Sequence, residues 1–397
     1  MSANKVIYLD HHATTPVDPR VLEVMLPYFT EIYGNAASID HDFGYEAKRA
    51  VDKVREQIAK AINAQPEEII FTSGATESDN IALFGVAERY VVKGKHIITC
   101  VTEHKAVLDS CKRLEQLGYQ ITYLPVDQYG TVDLVALQTA ITPQTILISI
   151  MAANNEIGTI APLQEIGSIA RKHNILFHTD AAQAIGHIPI DVQKMNIDIL
   201  SISGHKIYGP KGVGALYRRK SNPRVNLSPV IYGGGHEKGL RSGTLNVPGI
   251  VGMGAAVELA VKEMKASTKT YKEMVDYIWQ QLKNEIPDIQ LNGHPIDRLP
   301  HNLNVSIPGV ESKALIVQLK DIAISAGSAC TTTSVEPSHV IVALGFGEDR
   351  AHNAIRISVG RFNTNEEIEI ACKGLIRATT ELLQLNIPQK SGIKYYL

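Results

Sequence analysis

One lysine stands in a setting that favours covalent chemistry. Lys206 ends the run Ser201-Ile202-Ser203-Gly204-His205-Lys206, in which an apolar strand leads into a turn. A lysine at the end of a buried strand loses water around its amine, which favours the neutral, nucleophilic form that makes Schiff bases. Most lysines that follow a strand are ordinary surface residues. Here Ser203 and His205 flank a glycine and could donate to a phosphate, which favours the chemical interpretation.

Two other polar residues follow predicted strands. Asp180 ends the strand in Phe177-His178-Thr179-Asp180, and His104 follows the strand predicted over 96–101. Carboxyl ends of neighbouring parallel strands share one sheet edge, so Asp180 and Lys206 should meet there. A carboxylate against a pyridine nitrogen keeps that ring protonated and able to accept electrons. His104 could stack on a planar cofactor and shuttle protons. Taken singly, an aspartate in this position is more commonly a helix N-cap, and a histidine is more commonly a core or capping residue.

A third segment suits an anion. Ser73-Gly74-Ala75-Thr76-Glu77-Ser78 follows the strand predicted over 69–72 and opens a helix, where free N–H groups and the helix dipole attract negative charge. The same pattern also describes an ordinary N-cap with a glutamate in the first turn. Neither this segment nor Gly209-Pro210-Lys211-Gly212-Val213-Gly214 matches G-x-x-x-x-G-K-[ST], so a P-loop is excluded.

Cys330 is the candidate nucleophile. It lies among ten small residues, 325–334, with no large apolar side chain to anchor them, so we expect an exposed, mobile loop. Cys100 in a strand and Cys372 in a helix are expected to be buried, and Cys111 is ambiguous. The cysteines form no C-x-x-C pair, which disfavours a zinc or cluster framework. Adjacent histidines at 11 and 12 should point opposite ways, which disfavours a metal site there.

The elements that position these residues alternate between strand and helix. Short apolar runs at 69–72, 96–101, 145–151, 175–178, 197–203 and 213–217 have helical patterns between most of them, such as 162–173. This predicts a mostly parallel sheet covered on both faces. After about residue 250 a long helix over 251–286, strands over 302–307 and 354–359, and helices over 312–319 and 365–383 predict a smaller α+β unit. We predict a large domain over 16–260 and a small domain built from 1–15 and 261–397.

Composition limits the possible partners. The 397 residues carry 39 Lys and Arg against 41 Asp and Glu, a net charge of −2, which argues against a nucleic-acid or anionic-membrane surface. No window approaches the ~18 uninterrupted apolar residues of a membrane span, and residues 1–10 lack the apolar core of a signal peptide. Widely spaced cysteines suit free thiols in a reducing compartment. We therefore expect a cytoplasmic protein with no membrane or nucleic-acid partner.

Taken together, the motifs resemble those of the cysteine desulfurases, the NifS/IscS-like group among the class-V aminotransferases. The resemblance covers nearly the whole chain, and its short Ser-Ala-Cys loop is closer to the IscS/NifS group than to the SufS-like one. It rests on Tyr8-Leu9-Asp10 with Ala13-Thr14-Thr15-Pro16, 71–80, Thr102-Glu103-His104-Lys105, Asn154-Asn155-Glu156-Ile157-Gly158, Ser203-Gly204-His205-Lys206, 233–237 with Arg241-Ser242-Gly243-Thr244, Gly327-Ser328-Ala329-Cys330-Thr331 and Ile355-Arg356-Ile357-Ser358. It differs at His11-His12, where Tyr-Ser or Asn-Ala is commoner, at Ala36, which replaces a proline, and at Ala326, which replaces a serine.

The resemblance implies an α/β fold of fold-type I, with a seven-stranded, mostly parallel sheet plus a smaller α+β domain, and pyridoxal 5'-phosphate (PLP) as cofactor. It also implies a role for each matching residue. Lys206 would hold PLP as a Schiff base, Asp180 would pair with the pyridine nitrogen, Gln183 with the ring oxygen, and His104 would stack on the ring. The phosphate would be held by Ala75, Thr76, Ser203 and His205, with Thr244 reaching in from the second subunit of a homodimer. The substrate carboxylate would be bound by Asn155, Arg356 and Asn35.

The implied reaction converts L-cysteine to L-alanine. Lys206 would remove the Cα proton, and the Cys330 thiolate would attack the substrate sulfur and keep it as a persulfide. The sulfur would pass to an acceptor or iron–sulfur scaffold protein. No resident metal is expected, although Cys330 could transiently ligate a nascent iron–sulfur cluster. Three alternatives remain open: a selenocysteine lyase, an aminotransferase-like enzyme on the same fold, and a PLP-binding scaffold protein without turnover.

Overall fold

The structure is a computed structural model that describes residues 6–326 and 337–385. Its strands are β1 (Ile7–Tyr8), β2 (Ile69–Thr72), β3 (His96–Cys100), β4 (Gln120–Leu124), β5 (Thr145–Ser149), β6 (Leu176–Asp180), β7 (Ile199–Ser203), β8 (Gly214–Arg218), β9 (Gln290–Leu291), β10 (Asn302–Ser306), β11 (Ile322–Ala323), β12 (Ser325–Ala326) and β13 (Ala354–Ser358).

The helices lie mainly between these strands. They are α1 (Pro19–Met25), α2 (Pro27–Thr30), α3 (Asp42–Ala61), α4 (Ala75–Arg89), α5 (Lys105–Gln116), α6 (Leu134–Ala140), α7 (Leu163–Lys172), α8 (Val247–Glu285), α9 (Ser312–Gln318), α10 (His339–Ile341), α11 (Glu348–His352) and α12 (Asn365–Leu385). Short 3₁₀ turns occupy Pro66–Glu68, Gly204–Lys206 and Glu237–Gly239, and a π turn occupies Val342–Phe346.

The central sheet has seven strands in the order β2-β8-β7-β6-β5-β3-β4. Strands β3 to β7 pair in parallel, and β8 runs antiparallel to both β2 and β7. Strands β5, β6 and β7 are buried along their whole length, although β6 is apolar only in its first two residues. The predicted α/β fold with a mostly parallel sheet is therefore confirmed.

The register of the sheet brings the predicted site residues to one edge. Asp180, the last residue of β6, pairs with Ser201 of β7, and Ser203 at the end of β7 pairs with Gly214 of β8. Gly214 also pairs with Thr72, the last residue of β2. The ends of β2, β6 and β7 and the start of β8 therefore meet at the edge where the helices α4 and α5 begin.

A second, four-stranded antiparallel sheet has the order β12-β13-β10-β9. The long helix α8 links it to the first sheet, because the two ends of this helix pack in different cores. Val247 to Ala260 contribute to the core beneath the seven-stranded sheet, whereas Tyr271 to Leu282 pack with Ile7 and Leu9 in the second core. The division into 16–260 and 1–15 with 261–397 stays a prediction, and this packing supports it.

Boundaries from the sequence differ from the structure by a few residues, and the sequence analysis missed β4 of the central sheet and the two-residue strands β1, β9, β11 and β12. The predicted helix 251–286 begins at Val247, because Asn246 caps it by accepting from the Gly249 N–H at 3.1 Å. Strand β4 lies at the sheet edge and is only partly buried, so its sequence lacks the apolar run that marked the inner strands. Within the part of the chain described, no helix is both long and apolar enough to cross a membrane.

Candidate active site

A cavity of about 430 Å³ opens at the shared sheet edge. Ten of the residues named from the sequence line it: Ala75, Thr76, His104, Asn155, Asp180, Gln183, Ser203, His205, Lys206 and Arg356. They come from the ends of β6 and β7 and the segments that follow them, the starts of two helices, the 154–158 turn and the second sheet. Their convergence brings together an amine, a carboxylate, a guanidinium and the beginning of a helix.

Lys206 lies in the 3₁₀ turn that directly follows β7. Its Nζ donates to the backbone carbonyls of His12 at 2.5 Å and Ala13 at 2.8 Å. The turn is itself tied to the N-terminal segment, since the His205 carbonyl accepts from both the N–H and the hydroxyl of Thr15 at 3.0 Å. These two carbonyls hold the amine at the cavity wall, a placement from which it can act on a bound carbonyl compound.

Asp180 closes β6 and is 6% exposed. Burial, with the nearby Asp79 carboxylate as the second cause, raises the pKa of Asp180 to about 6. Its Oδ1 accepts from the Ala182 N–H at 2.8 Å, which partly offsets the cost of burying the charge. A cationic ring nitrogen beside this carboxylate would stabilise its ionised form.

The opposite end of the cavity is built for an anion. Gly74 precedes α4 with φ of 155°, a conformation that glycine adopts without steric cost. Gly214 packs so closely against it that a Cβ there would lie 2.6 Å from the Gly74 Cα. Ala75 and Thr76 line the cavity at the start of α4, where the first N–H groups of a helix have no partner within the helix and attract anions.

His205 and Ser203 complete that end. His205 Nδ1 lies 3.1 Å from the Thr14 hydroxyl, and burial, followed by Lys206 and Lys211, lowers the pKa of His205 to about 4. The imidazole is therefore neutral near neutral pH and can donate one hydrogen bond to a phosphate without titrating. His104 caps α5 by accepting from the Ala106 N–H at 3.1 Å through Nδ1, so its ring is fixed at the cavity wall by the helix that it caps.

Arg356 brings a buried cation to the cavity from β13. It is 1% exposed; its Nη2 donates to Asp10 Oδ1 at 2.7 Å and its Nη1 to the Asn155 carbonyl at 2.8 Å. Asn155 is delivered by a turn in which the Asn154 side chain accepts from the Glu156 and Ile157 N–H groups. Each Nη also carries a second hydrogen, which leaves the guanidinium able to bind a carboxylate.

Asn35 and Thr244, which were also named from the sequence, are not brought into this cavity. Asn35 is exposed and its Oδ1 accepts from the Ala37 N–H at 3.0 Å. Thr244 is also exposed, two residues beyond the Ser242 that is buried against the glycine segment. Neither lines the cavity of its own chain. Cys330 lies outside the described residues. The roles of all three stay predictions.

Sequence reasoning missed two residues that the structure places at the site. Asp10 holds Arg356, and His12 contacts both Lys206 and Gln183. Asp10 and His12 lie close together in the sequence, but nothing in their spacing indicates partners more than 170 positions away. Cys100, Cys111 and Cys372 are all buried, which confirms two expectations and settles the ambiguity of Cys111. Residues 6–326 and 337–385 contain no cluster of His, Cys, Asp or Glu that could hold a metal ion.

The match to a family decides the class of protein. A model of the aminotransferase class-V family matches residues 7–370. The chain belongs to the aminotransferase class-V family. This match agrees with the resemblance drawn from the motifs.

Individual relatives agree over almost the full length. A protein of Rickettsia conorii (strain ATCC VR-613 / Malish 7) named cysteine desulfurase IscS is 52% identical over 380 residues, 96% of this chain and 92% of its own length. A protein of the same name from Anaeromyxobacter dehalogenans (strain 2CP-C) is 54% identical over 390 residues, 98% and 96% of the two chains. A solved NifS-like protein superposes with a TM-score of 0.87 at 40% identity, covering 96% of this chain and 100% of that one.

PLP, the cofactor of the class-V enzymes, fits the donors of this cavity. The cofactor carries a phosphate, a ring nitrogen and an aldehyde, and the cavity offers a helix start with flanking donors, the buried carboxylate of Asp180 and the Lys206 amine. A Cβ at Gly214 would clash with the Gly74 backbone, whereas the space beside the Gly74 Cα is open, with no atom of the described residues beyond its chain neighbours within 4 Å of a Cβ built there. The residues present therefore match the three functional ends of the cofactor.

Proposed function

We propose that this chain removes sulfur from L-cysteine, with Lys206 holding PLP, Arg356 and Asn155 binding the substrate carboxylate and Cys330 taking the sulfur. The protein is a PLP-dependent cysteine desulfurase. The observation that carries the residue assignments is the convergence of Lys206, Asp180 and the start of α4 in one cavity.

When bound, PLP supplies an electron sink for the carbanion that forms when the substrate Cα loses its proton. Asp180 would keep the ring nitrogen protonated, and Gln183 would donate to the ring oxygen. The backbone at Ala75 and the side chains of Thr76, Ser203 and His205 would hold the phosphate. Lys206, held over the cavity by two carbonyl acceptors, would take the Cα proton on Nζ.

Arg356 would orient the substrate. A carboxylate on its guanidinium would form charge-assisted hydrogen bonds in a place where little water competes. Asn155 would add a side-chain amide donor beside it, while Asn35 is proposed as a further contact. Fixing the carboxylate at one end directs the Cα–H bond towards Lys206 and leaves the substrate side chain free to meet a nucleophile.

The described residues that flank the segment 327–336 lie beside the cavity, which supports the role of Cys330. Ser325 pairs with Arg356 in the second sheet, and its hydroxyl donates to Asp10 Oδ1 at 3.1 Å. On the other side, Ser338 donates to Glu156 Oε2 at 2.5 Å, next to Asn155. The thiolate of Cys330 would attack the substrate sulfur. The C–S bond breaks, its electron pair returns to the substrate carbon to give alanine after protonation, and Cys330 keeps the sulfur as a persulfide.

We also propose a cytoplasmic homodimer in which Thr244 binds the phosphate in the partner's cavity, which accords with its exposed position away from its own cavity. A sulfur acceptor or iron–sulfur scaffold protein would then collect the persulfide sulfur. A mixed dimer that carries Thr244→Ala in one subunit should bind PLP more weakly in the site of the other subunit. Weakened binding in the substituted subunit's own site would contradict this arrangement.

The function is tested by measuring alanine and sulfide release from L-cysteine in the presence of a thiol reductant. Cys330→Ala should stay yellow and bind cysteine, but lose alanine release by orders of magnitude, because a chemical step loses its nucleophile. The matched controls Cys100→Ala, Cys111→Ala and Cys372→Ala remove buried thiols and should retain turnover. Near-normal alanine release by Cys330→Ala would overturn the mechanism. Turnover of selenocysteine alone by that variant would favour the lyase alternative.

The cofactor site is tested separately. Borohydride reduction of the yellow protein followed by peptide mapping should label Lys206, and Lys206→Ala should carry no covalent label. A label on another lysine would show that the assignment of Lys206 is wrong, whatever the outcome with Cys330.

A further inference from the structure

His12 contacts the active site through both its backbone and its side chain. Its N–H donates to the Ser358 hydroxyl at 3.0 Å, and its carbonyl accepts from Lys206 Nζ and from Gln183 Nε2. Its imidazole Nδ1 lies 2.8 Å from Gln183 Oε1. The amide of Gln183 is therefore clamped at two points by one residue, which is 1% exposed.

This clamp determines which way the amide faces. The His12 carbonyl can only accept a hydrogen bond, so the amide nitrogen of Gln183 must lie against it, at 3.0 Å. The amide oxygen then faces Nδ1 and requires the proton of the neutral ring to be on that nitrogen. Turned the other way, the amide would set two acceptors against each other at the carbonyl. One N–H of Gln183 Nε2 is used by His12, and the other remains for a ligand in the cavity that Gln183 lines.

Two more buried histidines hold the ring of His12 in place. His12 stacks on His301 with ring centroids 4.4 Å apart and planes at 24°, and His301 stacks on His187 at 4.0 Å and 25°. His187 Nε2 lies 3.4 Å from the Lys206 carbonyl, so the stack begins and ends on residues that contact Lys206. A ring packed face to face cannot rotate to present its other nitrogen to Gln183 without opening the stack.

Burial, together with the groups around the stack, favours the neutral form of its three histidines. Burial lowers the pKa of His12, and Arg356, His187 and Lys206 lower it further. Burial likewise lowers the pKa of His187 and of His301, with the neighbouring imidazoles contributing to the latter. The neutral ring of His12 carries one N–H, and this N–H donates to Gln183 Oε1.

We propose that His12 is a positioning residue that holds the Gln183 amide with an N–H directed at the ring oxygen of the cofactor. The inference rests on the proposed function, in which Gln183 meets that oxygen. A hydrogen-bond donor at the ring oxygen stabilises the negative charge of that oxygen. The stabilisation is greatest when the nitrogen that joins Lys206 to the cofactor is unprotonated. Loss of the donor therefore raises the pH at which the visible band of the bound cofactor titrates.

The test is a spectroscopic pH titration of the yellow protein, without substrate. Gln183→Leu should raise the midpoint of the visible band by about one pH unit, the size expected for one lost hydrogen bond to a charged group. His12→Phe keeps an aromatic ring for the stack but removes the donor, and it should shift the midpoint in the same direction. The double variant should titrate like Gln183→Leu alone, because His12 acts only through that amide.

The control is His11→Asn. His11 is also buried, but it lies against the rings of Tyr8 and Tyr208 and does not line the cavity. This variant should leave the midpoint unchanged. His12→Leu is the second substitution at position 12, for use if the larger ring of His12→Phe prevents folding. Leucine has no side-chain donor, so this variant should give the same upward shift.

The outcomes separate the two proposals. An unshifted midpoint in His12→Phe or His12→Leu, beside a shifted Gln183→Leu, would overturn the role of His12 and leave that of Gln183 intact. Additive shifts in the double variant would also overturn it, because they would show that His12 acts independently. An unshifted Gln183→Leu would show that the assigned role of Gln183 is wrong and would remove the basis for His12 as well.

Discussion

Replacing Asp10 with alanine should destabilise the protein by about 3 kcal/mol, because it strands a buried cation. The Arg356 side chain is 2% exposed, and the Asp10 carboxylate that faces it at 2.7 Å is 16% exposed. Breaking a buried ion pair costs about 3–5 kcal/mol. The lower end applies here, since water can reach the space left by Asp10 and the Asn155 carbonyl still accepts from the guanidinium.

The assay is urea unfolding of the cofactor-free protein, so that no change in PLP affinity enters the free energy. The control is Asp52→Ala, which breaks the Lys48–Asp52 pair, in which both side chains are 48% exposed. That change should cost less than about 1 kcal/mol, since solvent screens exposed pairs. The double variant Asp10→Leu with Arg356→Met should unfold at a higher urea concentration than Asp10→Ala, because no buried charge remains. Equal midpoints for Asp10→Ala and Asp52→Ala would refute the reasoning.

Three further predictions concern the cofactor and the thiols. Gly214→Ala should weaken PLP binding at least tenfold, as measured by equilibrium dialysis. The new Cβ would lie 2.6 Å from the Gly74 Cα and would displace the backbone at the start of α4, where the phosphate is proposed to bind. Unchanged affinity would contradict a phosphate site at this position. The affinity of the cofactor-free protein for PLP should rise with pH through about 6 as Asp180 ionises. Asp79→Asn should move this rise to lower pH, since the Asp79 carboxylate helps raise the pKa of Asp180. A rise at the same pH in the variant would exclude that coupling. A disulfide reagent at pH 8 should modify native Cys330→Ala far more slowly than the parent protein. The reason is that burial raises the pKa of Cys100 to about 11, of Cys111 to about 12 and of Cys372 to about 11. Equal rates would show that a buried thiol is reactive.

Asp180 has a consequence for stability in the cofactor-free protein. Its folded pKa of about 6 lies above the ordinary value of 3.8, so the folded state holds the proton more tightly than the unfolded chain. The contribution of this residue to stability is therefore fully present below the unfolded pKa and is lost as pH rises from about 4 to about 6. A cationic ring nitrogen beside the ionised carboxylate would offset that loss.

Much of the site was predictable because strand ends in a parallel sheet meet at one edge. Lys206 and Asp180 each follow an apolar run, and that pattern alone predicts that they share an edge. The structure confirms this, with Asp180 opposite Ser201 in the register of β6 and β7. The start of α4 was predictable for the same kind of reason, because a strand, a glycine and a helix occur within a few residues. These features are local, and local sequence specifies them.

The tertiary structure alone determined the partners of Arg356, Gln183 and Lys206. Asp10 lies 346 positions from Arg356, and His12 lies 171 positions from Gln183. Two acceptors of Lys206 are backbone carbonyls, which every residue carries, so no residue type could mark them. Such contacts arise where the N-terminal segment passes between the two sheets. The path of that segment is fixed by the packing of Ile7 and Leu9 in the second core, which depends on residues spread along the whole chain.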